Sequence, residues 1–206
     1  MTVVEGVCPE CTSSRQRREQ PLVIEWEPGS DVVGDFVWTA AASQVVVSER
    51  ALGVLEGFRG FEPGQVEMVD SEEVSKRGPR RSVVRLPYTG PPLLELWVTA
   101  WAHVSAQRSS VKFERRCSTC GTEVWEVWGI EETDTSWDPG RGELVRTKKA
   151  RVGSQGIFVS EDQLGDADIF RLHEFPAWTF ARESVREAVT GAGLSNVAFF
   201  EMGETF

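Results

Sequence analysis

The four cysteines are the residues of this chain most suited to chemistry. They form two pairs of identical spacing, Cys8-Pro9-Glu10-Cys11 and Cys117-Ser118-Thr119-Cys120. A CxxC pair grips a metal ion from a tight knuckle, and two pairs together supply the four thiolates of a tetrahedral zinc centre. Gly121, directly after the second pair, suits a knuckle that turns back on itself, because a residue without Cβ takes positive φ at little cost. Thr12 holds the equivalent place after the first pair. Four protein thiolates leave no open position for water, so such a zinc is structural. The alternatives are a disulfide or redox pair, and thiols without metal. A redox CxxC belongs at a helix N-terminus after a strand, whereas Thr122 to Trp128 alternates like a second strand. The spacing favours one Zn2+ held by Cys8, Cys11, Cys117 and Cys120.

The separation of the pairs says more than their number. Between Cys11 and Cys117 lie 105 residues, against about 15–20 in an ordinary zinc ribbon. One shared ion would therefore clasp distant parts of the chain, with a whole lobe inserted between the knuckles.

Other reactive groups are sparse. The sequence has no GxSxG elbow, P-loop, GxGxxG after a strand or HExxH. The two histidines, His103 and His173, are candidate general bases, and Asp166 with Asp168 is a candidate Mg2+ pair. A structural histidine and an acidic turn are the commoner explanations. With the cysteines assigned to metal, no nucleophile–base pair remains, and the expectation is a protein that is not an enzyme.

Lys plus Arg is 22 and Asp plus Glu is 32 over 206 residues, a formal charge of −10. Nucleic acids and anionic membranes draw on clustered cations, so neither is expected as a partner, whereas a basic protein is. No apolar run approaches the roughly 20 residues of a membrane span. Met1 to Gly6 has neither the basic region nor the apolar stretch of a signal peptide, which points to the cytoplasm. Residues 123–138 hold Glu123, Glu126, Glu131, Glu132, Asp134 and Asp138 without a cation, and 139–151 hold Arg141, Arg146, Lys148, Lys149 and Arg151 against Glu143 alone. Solvated loops often look like this. The tryptophans among the acids nevertheless suit a protein-binding surface, with Trp125, Trp128, Glu131, Glu132, Asp134 and Trp137 as candidate contacts.

The elements that position these groups follow from periodicity and punctuation. Residues 12–21 read as a polar connection, Leu22–Trp26 as a strand and 27–30 as a turn. Ser48 caps a helix running to about Glu56, stopped by Gly57, and Val66–Val69 returns as a strand. Residues 70–92, rich in charge, Gly and Pro, read as a connection. Its sortase-type match Leu86-Pro87-Tyr88-Thr89-Gly90 lacks the following hydrophobic segment and basic tail. Residues 93–104 alternate as one strand, with Leu94, Leu96, Val98, Ala100, Ala102 and Val104 inward and Glu95, Trp97, Thr99, Trp101 and His103 on the other face. The C-terminal part reads as strand 168–172, helix 181–190 and strand 196–202, with Gly191 and Gly193 ending the helix. A weak echo links Ser48–Met68 to Arg182–Met202: in each, a helix leads through two glycines to a segment ending in Glu-Met. The expected class is α+β: one unit over 1–206, an antiparallel-rich sheet and two main helices. Two lobes, about 12–105 and 106–206, would be clasped by a zinc-ribbon-like four-cysteine site.

The two knuckles, Cys8-Pro9-Glu10-Cys11 and Cys117-Ser118-Thr119-Cys120-Gly121, resemble the double-CxxCG-motif family of myxobacterial swarming-inhibition immunity proteins. Asp168–Leu172, the helix 181–190 and Gly193-Leu194-Ser195-Asn196-Val197 continue the resemblance to the end of the chain. The resemblance implies a cytoplasmic immunity protein that binds a cognate polymorphic toxin without covalent chemistry. Such a protein needs a rigid surface that occludes the toxin, and a negative charge speeds capture of a basic one. The alternative is a zinc-stabilised adaptor or regulatory module unrelated to toxins.

Overall fold

A computed structural model describes residues 2–11, 14–18, 21–26, 33–39, 44–70, 88 and 90–206. The turn at 27–30, most of the charged connection, and Leu86, Pro87 and Thr89 of the sortase-type match lie outside the described residues. In chain order the first elements are β1 Thr2–Val7, β2 Ser14–Arg18, β3 Leu22–Trp26, β4 Phe36–Trp38, β5 Val45–Ser48, α1 Glu49–Leu55 and β6 Phe61–Asp70. The middle holds β7 Leu93–Val98, β8 Trp101–Ala102, β9 Val111–Arg116, β10 Glu123–Val127, β11 Glu132–Asp138 and β12 Glu143–Lys149. The last are β13 Ile157–Val159, α2 Glu161–Leu164, β14 Ile169–Leu172, β15 Phe175–Ala181, α3 Glu183–Gly191 and β16 Gly203–Thr205. The fold is α+β and mostly strand.

Five strands make the largest sheet, in the order β3-β6-β7-β5-β4, antiparallel except for β3 beside β6. Val45, Val46 and Val47 of β5 are all buried because both faces of this sheet are covered. On one side Val45, Val47, Leu96 and Val98 pack with Ala51 and Leu55 of α1, Val185 and Val189 of α3, and Ile169. On the other, Val46 and Leu93 meet Leu22. Each such side chain contributes about 1.5–3 kcal/mol when fully buried. Ser48 caps α1 as expected: its Oγ accepts the Ala51 amide at 3.1 Å and donates to Asp35 Oδ1 at 2.9 Å.

The stretch 93–104 is not one strand. It leaves the large sheet after Val98 and joins a second, β15-β14-β8. The Thr99 and Ala100 amides both donate to the Gly60 carbonyl, at 2.8 and 3.2 Å. Gly60 has φ +102, and a Cβ there would sit 2.0 Å from the Ile169 carbonyl oxygen. The inward face holds beyond the break, with Ala102 and Val104 buried. Glu95, expected on the amphipathic face, is only 2% exposed, and its charge opposes the burial that lowers the pKa of Arg171. A second core gathers here: Ala102, Val104, Phe170, Leu172, Phe175 and Phe180 pack with Ile157 and Val159.

Three further points differ from the expectation. Residues 14–18 form β2, paired antiparallel with β1, not a connection. Phe175–Ala181 forms β15, an antiparallel hairpin partner of β14 absent from the expected strand–helix–strand order. Residues 196–202 are not a strand; the C-terminal strand is β16, parallel to β13. Asn196 takes φ +59, accepts from the Trp38 indole at its carbonyl and donates from its amide side chain to the Phe36 carbonyl. This segment therefore borders β4 through side chains, not a strand ladder. The helix halves of the internal echo, α1 and α3, share the first core, but only the first leads into a strand.

Candidate functional site

The cysteines sit at the tips of two hairpins. Cys8–Cys11 lies in the connection from β1 to β2, and Cys117–Cys120 in the connection from β9 to β10. The sulfur atoms of Cys8, Cys11, Cys117 and Cys120 all lie within 4.8 Å of one another. Across the knuckles, Cys8 Sγ is 3.7 Å from Cys117 Sγ and Cys11 Sγ is 3.4 Å from Cys120 Sγ. All four are free thiols, and among the described residues no other group of three or more His, Cys, Asp or Glu is placed to hold a metal.

Local chemistry explains the shape of the second knuckle. The Cys117 amide donates to the Thr122 carbonyl at 2.8 Å, and the Gly121 amide donates to the Cys117 carbonyl at 2.9 Å. Gly121 has φ +76, with open space where a Cβ would sit, so backbone conformation, not crowding, requires the glycine. Glu10, in the first knuckle, reaches across to the second. Its Oε2 accepts from Ser118 Oγ at 3.0 Å, Thr119 Oγ1 at 2.6 Å and Cys117 Sγ at 3.5 Å. The Thr119 and Ser118 hydroxyls and the Cys117 thiol hold the Glu10 pKa below its ordinary value. This cross-knuckle contact had no signal in the sequence, because Glu10 reads only as a spacer between cysteines.

The Cys120 and Thr119 amides point at the Cys117 sulfur and favour its thiolate. Burial and the hydrogen bonds it shares with Cys11 and Cys120 outweigh them and push the thiol up, to about 12. A metal ion binding here displaces protons and takes over the charge compensation. The donor set, four sulfurs with Cys8 and Cys117 buried, fits a soft or borderline cation.

The candidate partner residues fall in three different places. Trp125 is half-buried against the second core, edge-on to Phe113 at 5.3 Å, with its indole N–H donating to Glu123 at 3.0 Å. Trp128 is 46% exposed. Glu131 is clamped: it accepts from Lys148 at 2.7 Å and from the Glu201 amide at 3.1 Å, which hold its pKa down. Glu132, Asp134 and Trp137 belong to the β11–β12 hairpin, a two-stranded sheet with its own uninterrupted register. Strand alternation puts Glu132, Asp134 and Asp138 on one face, with their partners Lys149, Thr147 and Glu143. Trp137 lies on the opposite face, beside Leu144. The acidic residues and the exposed tryptophan therefore do not form one surface.

The two candidate histidines lie together, and the two candidate carboxylates both engage Arg59. His103 Nδ1 donates to Glu174 at 2.9 Å, and its ring stacks on His173 at 4.3 Å. Asp168 accepts the Arg59 amide at 3.0 Å and Asp166 pairs with the Arg59 guanidinium, so both carboxylates hold the turn that joins the sheets. Asp35 was not foreseen. Its carboxylate accepts from Ser48 Oγ, the Ser195 amide and hydroxyl, and Arg50 at 2.7–3.0 Å. Those partners are far apart in sequence, which hid the cluster.

The fold and site define a strand-rich α+β protein with a four-thiol, metal-competent centre built from two hairpin tips. Compared with family models and with curated proteins, the chain matches none. No helix among the described residues is long and apolar enough to cross a membrane.

Proposed function

We propose that this chain is a non-enzymatic immunity protein of the double-CxxCG kind, which binds a cognate toxin and is held in shape by one structural zinc. The reading rests on the convergence of four sulfurs within 4.8 Å from pairs 105 residues apart. A tetrathiolate ion at that point is a zinc-ribbon-like clasp between two hairpins, and it offers substrate no open position. The family resemblance supplies the immunity role and the cytoplasmic setting. The charge of −10 and the acidic face of the β11–β12 hairpin favour rapid capture of a basic toxin.

The test is co-purification with the product of each neighbouring toxin gene, with toxin activity assayed in the complex. A stable complex and lost activity are expected. Absence of both binding and rescue with every neighbouring toxin overturns the immunity role, and binding without rescue favours the adaptor reading. Elemental analysis is expected to give about one zinc per chain; zero zinc with four freely reactive thiols defeats the shared centre.

A further inference from the structure

We propose that the Trp137 face of the β11–β12 hairpin is a docking site for a protein surface that offers an apolar recess flanked by a carboxylate. The inference goes beyond the immunity reading and stands or falls without the toxin. Its starting point is the register: Thr133↔Lys148, Thr135↔Arg146 and Trp137↔Leu144 share one face. Trp137 is 60% and Leu144 65% exposed, side by side near the tip. An isolated two-stranded hairpin is marginal in water, and a partner surface that covers the exposed Trp–Leu pair would stabilise it.

The base of the hairpin is well anchored. The Glu131 amide donates to the Glu201 carbonyl at 2.8 Å, and the Glu201 amide returns a bond to Glu131. Arg151 bonds Glu201, Glu204 and the Gln155 carbonyl. The face is therefore carried on a hairpin about 20 Å long that projects from a fixed root.

Charge selects the partner. Lys148 is neutralised by Glu131 and lies over the Phe200 ring, whereas Arg146 makes no ion pair among the described residues. The free charge beside the Trp–Leu pair is thus one guanidinium, which takes a carboxylate in bidentate fashion. One free cation is too few for a phosphate polymer. A second copy packed face to face would bring Arg146 against Arg146, because Glu132, Asp134, Asp138 and Glu143 are all on the reverse side. Packing front to back would be a heterologous contact, which builds a ring or a filament and not a two-fold dimer. Trp and Arg are the residues most enriched at interface hot spots.

The probes are two labelled octapeptides, one alternating Glu and Leu, the other Lys and Leu, followed by fluorescence anisotropy. The Glu-Leu peptide is expected to bind at least tenfold more tightly. Trp137→Ala and Arg146→Gln should each weaken it at least tenfold with unchanged circular dichroism, while Glu132→Lys on the reverse face leaves it unchanged. Equal binding of both peptides, no binding, or an equal loss with Glu132→Lys overturns the proposal. So does self-association in sedimentation velocity that Trp137→Ala abolishes. None of these readouts involves a toxin, so failure here is separable from failure of the immunity reading.

Discussion

Chelation of the metal gives the sharpest test of the clasp. An ion held by Cys8 and Cys11 on one side and Cys117 and Cys120 on the other closes a loop spanning 109 residues. Treated as a cross-link, that closure removes about 5 kcal/mol of chain entropy from the unfolded state at 25 °C. Such a term is comparable to the whole stability of many domains, about 5–15 kcal/mol. For a chain of this size 1 kcal/mol moves the melting temperature by about 2–4 °C. Stripping the ion should therefore lower the melting temperature by about 10–20 °C. The assay is scanning calorimetry of protein with stoichiometric zinc, before and after a chelator, with Cys117→Ser as the genetic counterpart. Metal-free protein that melts within about 2 °C of the loaded form refutes the argument.

Three further outcomes follow from the geometry. Gly121→Ala should cost about 1–2 kcal/mol in thermal unfolding, because φ +76 and not space forbids a side chain. Asp35→Asn should destabilise by about 2–4 kcal/mol in urea unfolding. Burial raises the Asp35 pKa, but the bonds from Ser195 and Ser48 and the charge of Arg50 carry it below its ordinary 3.8. A depressed carboxylate stabilises the fold above its unfolded pKa and loses that effect as pH falls through the folded one. The gap between wild type and Asp35→Asn should therefore be full near pH 6 and shrink below about pH 3.8. Leu172→Ala, at a fully buried position, should cost about 2–5 kcal/mol by the same denaturation assay.

The meeting of the four cysteines was the most legible part of the sequence because sulfur pairs carry their chemistry in their spacing. Gly121 and Ser48 were legible for a similar reason: a knuckle exit and a helix cap are local demands. Strand β2, Ser14-Arg15-Gln16-Arg17-Arg18, has no apolar residue, so nothing in it alternates; its strand state comes from pairing with β1. The break at Thr99–Ala100 was hidden because the inward face continues through it and the cause, the Gly60 carbonyl, is some 40 residues earlier. The two charged runs appeared as successive blocks. Only the hairpin register shows that Trp137 and the neighbouring acids face opposite ways, since a one-residue shift would reverse every side chain.

The distance between the knuckles also bears on how the chain is made. A ribosome adding about 5–20 residues per second needs about 5–20 s to travel from Cys11 to Cys120. Through that interval the leading thiols have no downstream sulfurs to meet, and they stand open to oxidants or to foreign metals. Keeping those thiols reduced until Cys117 and Cys120 arrive is thus a condition for assembling the proposed clasp, as much as the cysteines themselves.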